Sequence, residues 1–452
     1  MFKKILIANR GEIALRVIRA CHEMDIETVA VYSEADADSL HVRFSDEAVC
    51  IGPAAATQSY LDIPRIISAA EITGADAIHP GYGFLAENAE FSEICQRSEI
   101  VFIGPRPDQI RAMGDKAVAR RTMMDVGVPT VPGSKGEVSD LEAALELSRD
   151  VGFPMMIKAS AGGGGKGMRV ARNAESLEKL FRQARNEAQA AFGDPGVYLE
   201  RFVDRPRHVE FQIFGDEHGR VVHMGERDCT LQRRHQKLVE EAPSPALTPD
   251  LREEMGEAAV RAAKAIDYLG AGTVEFILDP EQRFYFIEMN TRLQVEHPVT
   301  EATTDHDLVK EQIRIAAGEP MSLPEGPLVH RGHAIEFRVN AEDPDHGFAP
   351  RPGQITTYHP PGGPGVRLDT HIYTGYRVPP FYDSLLAKLI ICGKNRDEAL
   401  RRARHNLDSF VIEGIPTTIG LLSRIIRDPR FVSGDFDTGF VERFLAEEGS
   451  KG

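Results

Sequence analysis

Long apolar runs are scarce in this chain of 452 residues, and none approaches the length needed to cross a bilayer. No membrane partner is expected. Cations are also in deficit, 53 Lys and Arg against 69 Asp and Glu, for a formal net charge of -16. Nucleic-acid binding relies on clustered excess Lys and Arg, so that role is disfavoured and any bound polyanion must meet a local basic site. Cysteine is sparse: Cys21, Cys50, Cys95, Cys229 and Cys392 are odd in number, scattered, and form no Cys-x-x-Cys pair for zinc or redox work. That usage fits a reducing cytoplasm. The start, Met1-Phe2-Lys3-Lys4, leads into too few apolar residues before Asn9-Arg10 for a signal peptide. Two nucleotide fingerprints are missing as well, the Gly-x-Gly-x-x-Gly of dinucleotide folds and the Gly-x-x-x-x-Gly-Lys-Ser/Thr of a Walker loop. Internal repeats and low-complexity tails are absent too. What is present is 42% hydrophobic content, enough for substantial cores in roughly three domains.

The first segment alternates apolar runs with an amphipathic stretch: Ile5 to Ala8, a helix through Ile13 to Met24, then Thr28 to Tyr32. That is βαβ, hence a parallel sheet. It continues through Ala77-Ile78-His79-Pro80-Gly81 to Val101-Phe102-Ile103-Gly104-Pro105, and this domain closes near Gly114. From Val131 to about Val203 the composition turns to Gly and charge, with helical patterns at Leu141 to Asp150 and Ala174 to Ala191, and this stretch reads as a small mobile lid. A β-rich body follows to about Arg331. The last part opens on a strand at His333 to Asn340, crosses the Pro/Gly-rich 350–365 and ends in helical patterns such as Asp397 to Leu407.

The strip from Phe284 to Glu296 carries the densest chemistry. In a strand, Glu288, Asn290 and Arg292 share one face while Ile287, Met289 and Thr291 pack behind them. On a straight strand Glu288 and Glu296 would stand about 26 Å apart, too far to serve one small substrate, so a bend near Thr291 is expected. Upstream, Gly272 to Leu278 and the polar stretch 279–283 predict a β-hairpin. If Asp279 pairs with Phe284 across a four-residue loop, Glu275 falls directly opposite Glu288. Such facing acids repel unless a divalent cation joins them, and two carboxylates with an Asn oxygen are hard ligands suited to Mg²⁺. Solvated acids on an exposed hairpin are the bland alternative, which leaves Arg292, Gln294 and Glu296 unexplained.

Ile157 to Met168 reads as a hairpin with a glycine tip, whose backbone N–H groups can approach an anion without Cβ obstruction. Lys158 entering it and Lys116 upstream could neutralise a nucleotide's phosphates. Tyr198-Leu199-Glu200-Arg201-Phe202-Val203 reads as a strand leaving the lid, with backbone groups for an adenine edge or a plain connector. Gln232-Arg233-Arg234-His235-Gln236-Lys237 concentrates cations in an acidic chain and reads as a functional site or a solvated loop. Cys229 reads as a small buried residue.

These stretches, together with Ile7 to Ala14, His79 to Leu85, Met113-Gly114-Asp115-Lys116 and Glu226-Arg227-Asp228-Cys229, resemble the biotin carboxylases, members of the ATP-grasp superfamily, over essentially the whole chain. The resemblance implies an α/β (α+β) protein with a Rossmann-like parallel-sheet domain at 1–114, an ATP-grasp domain at 115–331 whose lid spans about 131–203, and a carboxy-terminal domain at 332–447. The implied reaction takes ATP, bicarbonate and carrier-bound biotin to ADP, phosphate and carboxybiotin with Mg²⁺ or Mn²⁺. By similarity Lys116, Lys158, Gly164 and Gly165 hold the phosphates, and Glu200, Arg201, Phe202, Val203, His208, Gln232 and His235 surround the nucleoside. Glu275, Glu288 and Asn290 match the metal ligands, the two acids also touching ATP. Lys237, Arg292, Gln294 and the Val295 backbone match the bicarbonate site, Glu296 the general base and Arg338 the residue facing biotin's ureido oxygen.

No biotin-accepting Ala-Met-Lys-Met-like segment occurs, so a separate biotin carboxyl carrier protein and carboxyltransferase subunits are the expected partners, alongside a homodimer. Ala161 and Lys166 depart from the family's usual Gly and Arg in a loop that binds through its backbone. Pro364 stands where bacterial relatives often have an aromatic residue near the dimer interface. Arg19 and Glu23 match the other side of that interface, or form an ordinary i,i+4 pair. Two other readings are a different ATP-grasp carboxylate–amine ligase and an ATP-sensing module without turnover. The Lys237, Arg292, Glu296 and Arg338 set argues against the second.

Overall fold

Short apolar strands separated by amphipathic helices give the first hundred residues a parallel sheet, in the order Glu47–Gly52, Glu27–Ser33, Lys4–Ile7, Ala77–His79, Val101–Phe102. The computed structural model describes residues 1–160, 168–324 and 330–449. Gly164 and Gly165 therefore lie outside the described residues. Strand alternation sends Leu6 and Ala8 toward a core with Val29, Ile78 and Phe91, and Ile5 and Ile7 toward helix Gly11–His22 and onward to Phe214, Leu293 and Leu308. The second face thereby seats the parallel sheet on the rest of the molecule.

That seat includes a buried ion pair. Arg10 donates from Nε and Nη2 to Asp36 at 2.7 and 2.8 Å, Tyr60 donates to Asp36 at 2.6 Å, and the Arg10 guanidinium lies 4.2 Å from the centre of the Tyr382 ring. Burial opposes the carboxylate, but Arg10 and Tyr60 hold Asp36 down at about 2, below its ordinary 3.8. A depressed carboxyl contributes stability that is full above its unfolded value and is lost as pH falls toward the folded one. Asp36→Asn is therefore expected to cost about 3 kcal/mol at pH 7, with the gap from the parent chain closing between about pH 4 and pH 2, as read by urea unfolding.

An eight-stranded antiparallel sheet forms the body: Phe284–Asn290, Gly270–Leu278, Arg207–Gly215, Val221–Arg233, Gln236–Ala242, His333–Asn340, Leu385–Gly393, Val366–Thr370. It runs unbroken across residue 331, because Gln236–Ala242 pairs with His333–Asn340. Phe211, Phe276 and Phe284 meet edge to face at 6.2 and 5.4 Å under helix Pro249–Lys264. Each such contact adds about 1 kcal/mol beyond burial.

Between these two units, Met155–Ala159 pairs with Arg169–Ala171 and Val197–Arg201, backed by helices Leu141–Val151 and Ala174–Phe192 around a core of its own. The stretch leading into it is stitched to both neighbours: Phe286 N–H donates to Pro129 O at 2.7 Å, and Arg201 N–H to Pro132 O at 2.7 Å. At the crossing Gly133 lies so close that a Cβ would stand 2.2 Å from Leu199 O. Only glycine fits there without displacing the strand.

Candidate active site

The acid-bearing hairpin forms with Glu275 directly opposite Glu288, by a different path from the expected one. Pairing begins at Leu278 and Phe284 across a five-residue loop, and a bulge at Ile287 restores the register at Glu275. The strand ends at Asn290, and the chain turns through Thr291 before Glu296 opens helix His297–Thr304. The bend brings the two ends of the strip within reach of one group. Lys237 Nζ donates to Glu275 Oε1 at 3.0 Å, Glu296 Oε1 at 2.6 Å and Glu210 Oε2 at 2.6 Å.

Lys237 reaches this point because its strand is irregular. Arg234 and His235 make a tight turn at positive φ, 47° and 66°, and the pairing skips Leu238, from Leu231 with Val239 to Gln232 with Lys237. Both Leu238 and Val239 then enter the core, and Lys237 joins the face of Glu240. Burial disfavours the ammonium, but Cys229, Glu210, Glu275 and Glu296 raise Lys237 well above its ordinary value. Behind it, fully buried Arg227 donates to Glu210 at 2.6 Å, Gln212 at 2.8 Å, and Thr273 and Thr300 at 3.1 Å.

Glu296 is fully buried between cations. Arg338 Nη2 donates to its Oε2 at 2.9 Å, and Lys237 holds its Oε1. Burial pushes its pKa up, and Lys237, Arg338 and Arg227 pull it well below the ordinary carboxyl range, so Glu296 is ionised. Arg292 fans out beside it, from Nε to Glu87 at 2.8 Å, from Nη1 to Gln294 Oε1 at 2.9 Å and from Nη2 to Asn290 Oδ1 at 3.0 Å. The Val295 carbonyl accepts from the fully buried Lys388 at 2.8 Å, which also sits 3.1 Å from Glu12.

A cleft of about 700 Å³ adjoins this centre and is lined by Lys116, Lys158, Glu200, Phe286 and Glu288. Lys116 begins helix Lys116–Asp125, capped by Asp115. Glu200 is gripped from both sides, by Arg120 at 2.8 Å and Lys158 at 2.5 Å. Of the expected connector, the Arg201 and Phe202 N–H groups are taken by the carbonyls of Pro132 and Pro154, which leaves the connector's carbonyls and Val203 N–H for a ligand edge. His208 Nε2 lies 3.0 Å from Glu275 Oε2, and Gln232 is buried opposite Lys237. His235 is exposed at the hairpin tip, so the basic run is a strand pair with a turn, not a loose loop.

The acids fit a divalent cation. Burial raises Glu288, and Glu275 raises it further, which is the repulsion a cation between them would reverse. His208, Glu210 and Glu275 also lie close enough to form a ligand group, but the Lys237 ammonium already bonds Glu210 and Glu275. Sequence reasoning missed Glu210, Arg227, Arg120, Glu240 and Lys388. Their common signal is a charge set in an apolar strand or at a helix face. At the proposed interface, Glu23 pairs with Lys310 at 2.5 Å and not with Arg19.

A parallel-sheet unit, a nucleotide-sized cleft with two lysines and facing acids define an ATP-binding enzyme of the ligase class. Three family descriptions tile the chain accordingly: biotin carboxylase, N-terminal domain, at 1–110; carbamoyl-phosphate synthase L chain, ATP binding domain, at 115–324; and biotin carboxylase C-terminal domain at 336–443. A biotin carboxylase of a Nostoc species is 60% identical, over 98% of this chain and 99% of its own length. The chain belongs to the biotin carboxylase family. Among solved structures, the Hydrogenobacter thermophilus 2-oxoglutarate carboxylase biotin carboxylase domain is a dimer in complex with MgADP, ADP and bicarbonate. It matches at TM-score 0.92 and 51% identity over 98% of both chains. The Campylobacter jejuni biotin carboxylase complexed with βγ-ATP matches at TM-score 0.93 and 48% identity over 98% of this chain and 99% of that one. No helix among the described residues is long and apolar enough to cross a membrane.

Proposed function

We propose that this chain uses ATP and bicarbonate to carboxylate biotin held on a separate biotin carboxyl carrier protein, as the first half-reaction of a cytoplasmic acetyl-CoA carboxylase. The observation that carries this reading is a buried, ionised Glu296 between Lys237 and Arg338. That arrangement offers a base, an anion site and an oxyanion partner within one cluster.

In this reading Lys237, Arg292, Gln294 and the Val295 backbone hold bicarbonate, and Glu296 removes its proton as its oxygen attacks the γ-phosphorus and ADP leaves. Lys116 and Lys158, with Gly164 and Gly165, spread the phosphoryl charge. Glu275, Glu288 and Asn290 would hold Mg²⁺ or Mn²⁺, which when bound supplies positive charge to the phosphates. The carboxyphosphate so formed hydrolyses easily, and closure of the lid at about 131–203 would exclude water from it. It breaks to CO₂ and phosphate, the phosphate takes the proton from biotin N1, and N1 bonds to CO₂. Arg338 stabilises the enolate-like ureido oxygen. The division at 1–114, 115–331 and 332–447 follows the same reading, as does a homodimer. The related domain from a 2-oxoglutarate carboxylase shows that the family serves several acceptors, so the same subunit of a propionyl-CoA or pyruvate carboxylase is the alternative.

With MgATP and bicarbonate, ADP release is expected to depend on bicarbonate and to rise with free biotin. A requirement for an amine acceptor instead would overturn the reading in favour of a carboxylate–amine ligase. Recovery of an acyl-CoA carboxyltransferase with the chain from cell extract separates the acetyl-CoA assignment from its alternatives.

A further inference from the structure

Behind Arg338 lies a pair of acids that the reaction steps leave unused. Strand Gln236–Ala242 pairs with His333–Asn340 so that Glu240 stands directly opposite Glu336, and both are fully buried. Like charges at opposed positions repel. Glu240 Oε2 and both oxygens of Glu336 have no hydrogen-bond partner among the described residues. A bare carboxylate in such surroundings is costly enough that one of two neighbouring acids stays protonated. The remaining oxygen, Glu240 Oε1, accepts from Arg338 Nε at 2.5 Å while Arg338 Nη2 reaches Glu296. Because a guanidinium is planar, anchoring Nε fixes where its two Nη groups point.

The charged and titratable groups facing the pair come from each surrounding element. They are Lys237 on Glu240's own strand, Cys229 on Val221–Arg233, Glu296 at the start of helix His297–Thr304, Arg338 beside Glu336, and Lys388 on Leu385–Gly393. Burial, opposed by Arg338 and reinforced by Glu296, lifts Glu240 to about 7. Burial, opposed by Lys388 and reinforced by Glu240, lifts Glu336 well above its ordinary value.

We propose that Glu240 and Glu336 hold one proton between them, and that Glu240, the ionised member, is the positioning residue that aims Arg338 at the ureido oxygen. This deepens the biotin-carboxylation reading and rests on it. As pH falls, Glu240 takes up a second proton for the pair, its grip on Nε weakens, and biotin is bound less well.

The test is the pH dependence of kcat/KM for free biotin, measured beside KM for MgATP. In the parent chain kcat/KM should fall on the acid side. If the parent chain shows no biotin-stimulated turnover at all, the functional reading fails; the pair is tested only against an active parent. Glu240→Gln should raise the biotin KM about tenfold and remove that acid limb, with the MgATP KM within about twofold as proof of fold. Glu240→Asp keeps the charge and should keep the limb. Glu336→Gln replaces a neutral acid with a neutral amide and should leave the limb at its parental pH. An unchanged biotin KM and acid limb in Glu240→Gln would overturn the proposal. So would a limb displaced by about one pH unit or more in Glu336→Gln.

Discussion

Glu296→Ala should lower bicarbonate-dependent ADP release by about a thousandfold while MgATP binding, measured by calorimetry, stays within about threefold. The separation follows from geometry. Glu296 touches Lys237, Arg338 and Cys229 Sγ at 3.7 Å, whereas the cleft lining includes Lys116, Lys158 and Glu288 but not Glu296. The loss should be large because no neighbour can take over as base: Glu210 is held by Arg227 and Lys237, and Glu240 by Arg338. Glu296→Gln keeps the shape and should be nearly as inactive, since an amide cannot accept the proton. With both cations on it, Glu296 is ionised but weakly basic. Bicarbonate drawn to Lys237 would loosen that contact and raise its proton affinity as the proton must move. Turnover near the parental rate in Glu296→Ala would remove it as the base.

Part of this site was legible in the chain because it is local. The acids Glu275 and Glu288 lie on two strands joined by a short turn, so alternation alone sets them face to face; the bulge at Ile287 corrected a loop one residue longer than expected. The bend after Asn290 followed from distance: a straight strip could not serve one substrate. The parallel amino-terminal sheet followed from its alternating strands and helices. What resisted reading is what the sheet joins across long separations. Arg227 meets Thr273 and Thr300, Lys388 meets Val295, and Glu240 meets Glu336 only through strand order. The single continuous sheet across residue 331 was hidden for the same reason. Each of these charges sits among apolar neighbours, as in Ile335-Glu336-Phe337 or Ala387-Lys388-Leu389. That pattern marks burial, but no local rule names the partner.

Lys237→Met should remove both turnover and stability, with a pH signature that tells the two apart. Lys237 is the one cation bonded to Glu210, Glu275 and Glu296 together, and methionine preserves its length while leaving three converging carboxylates. Breaking a buried ion pair from one side costs about 3–5 kcal/mol. In the parent chain Glu296 is depressed by Lys237 and Arg338 against burial, so its contribution is complete above the ordinary 4.5 and is lost only at lower pH. In the variant the sign reverses. Acids raised by burial and mutual repulsion destabilise the fold as pH climbs past their unfolded values, and protonation relieves them as it falls. The difference in Tm between parent and variant should therefore narrow from pH 8 to pH 5. Turnover should not recover over that range, because protonating Glu296 restores the fold by disabling the base. A pH-independent Tm difference would mean that Lys237 stabilises through packing of its stem and not by neutralising the three acids.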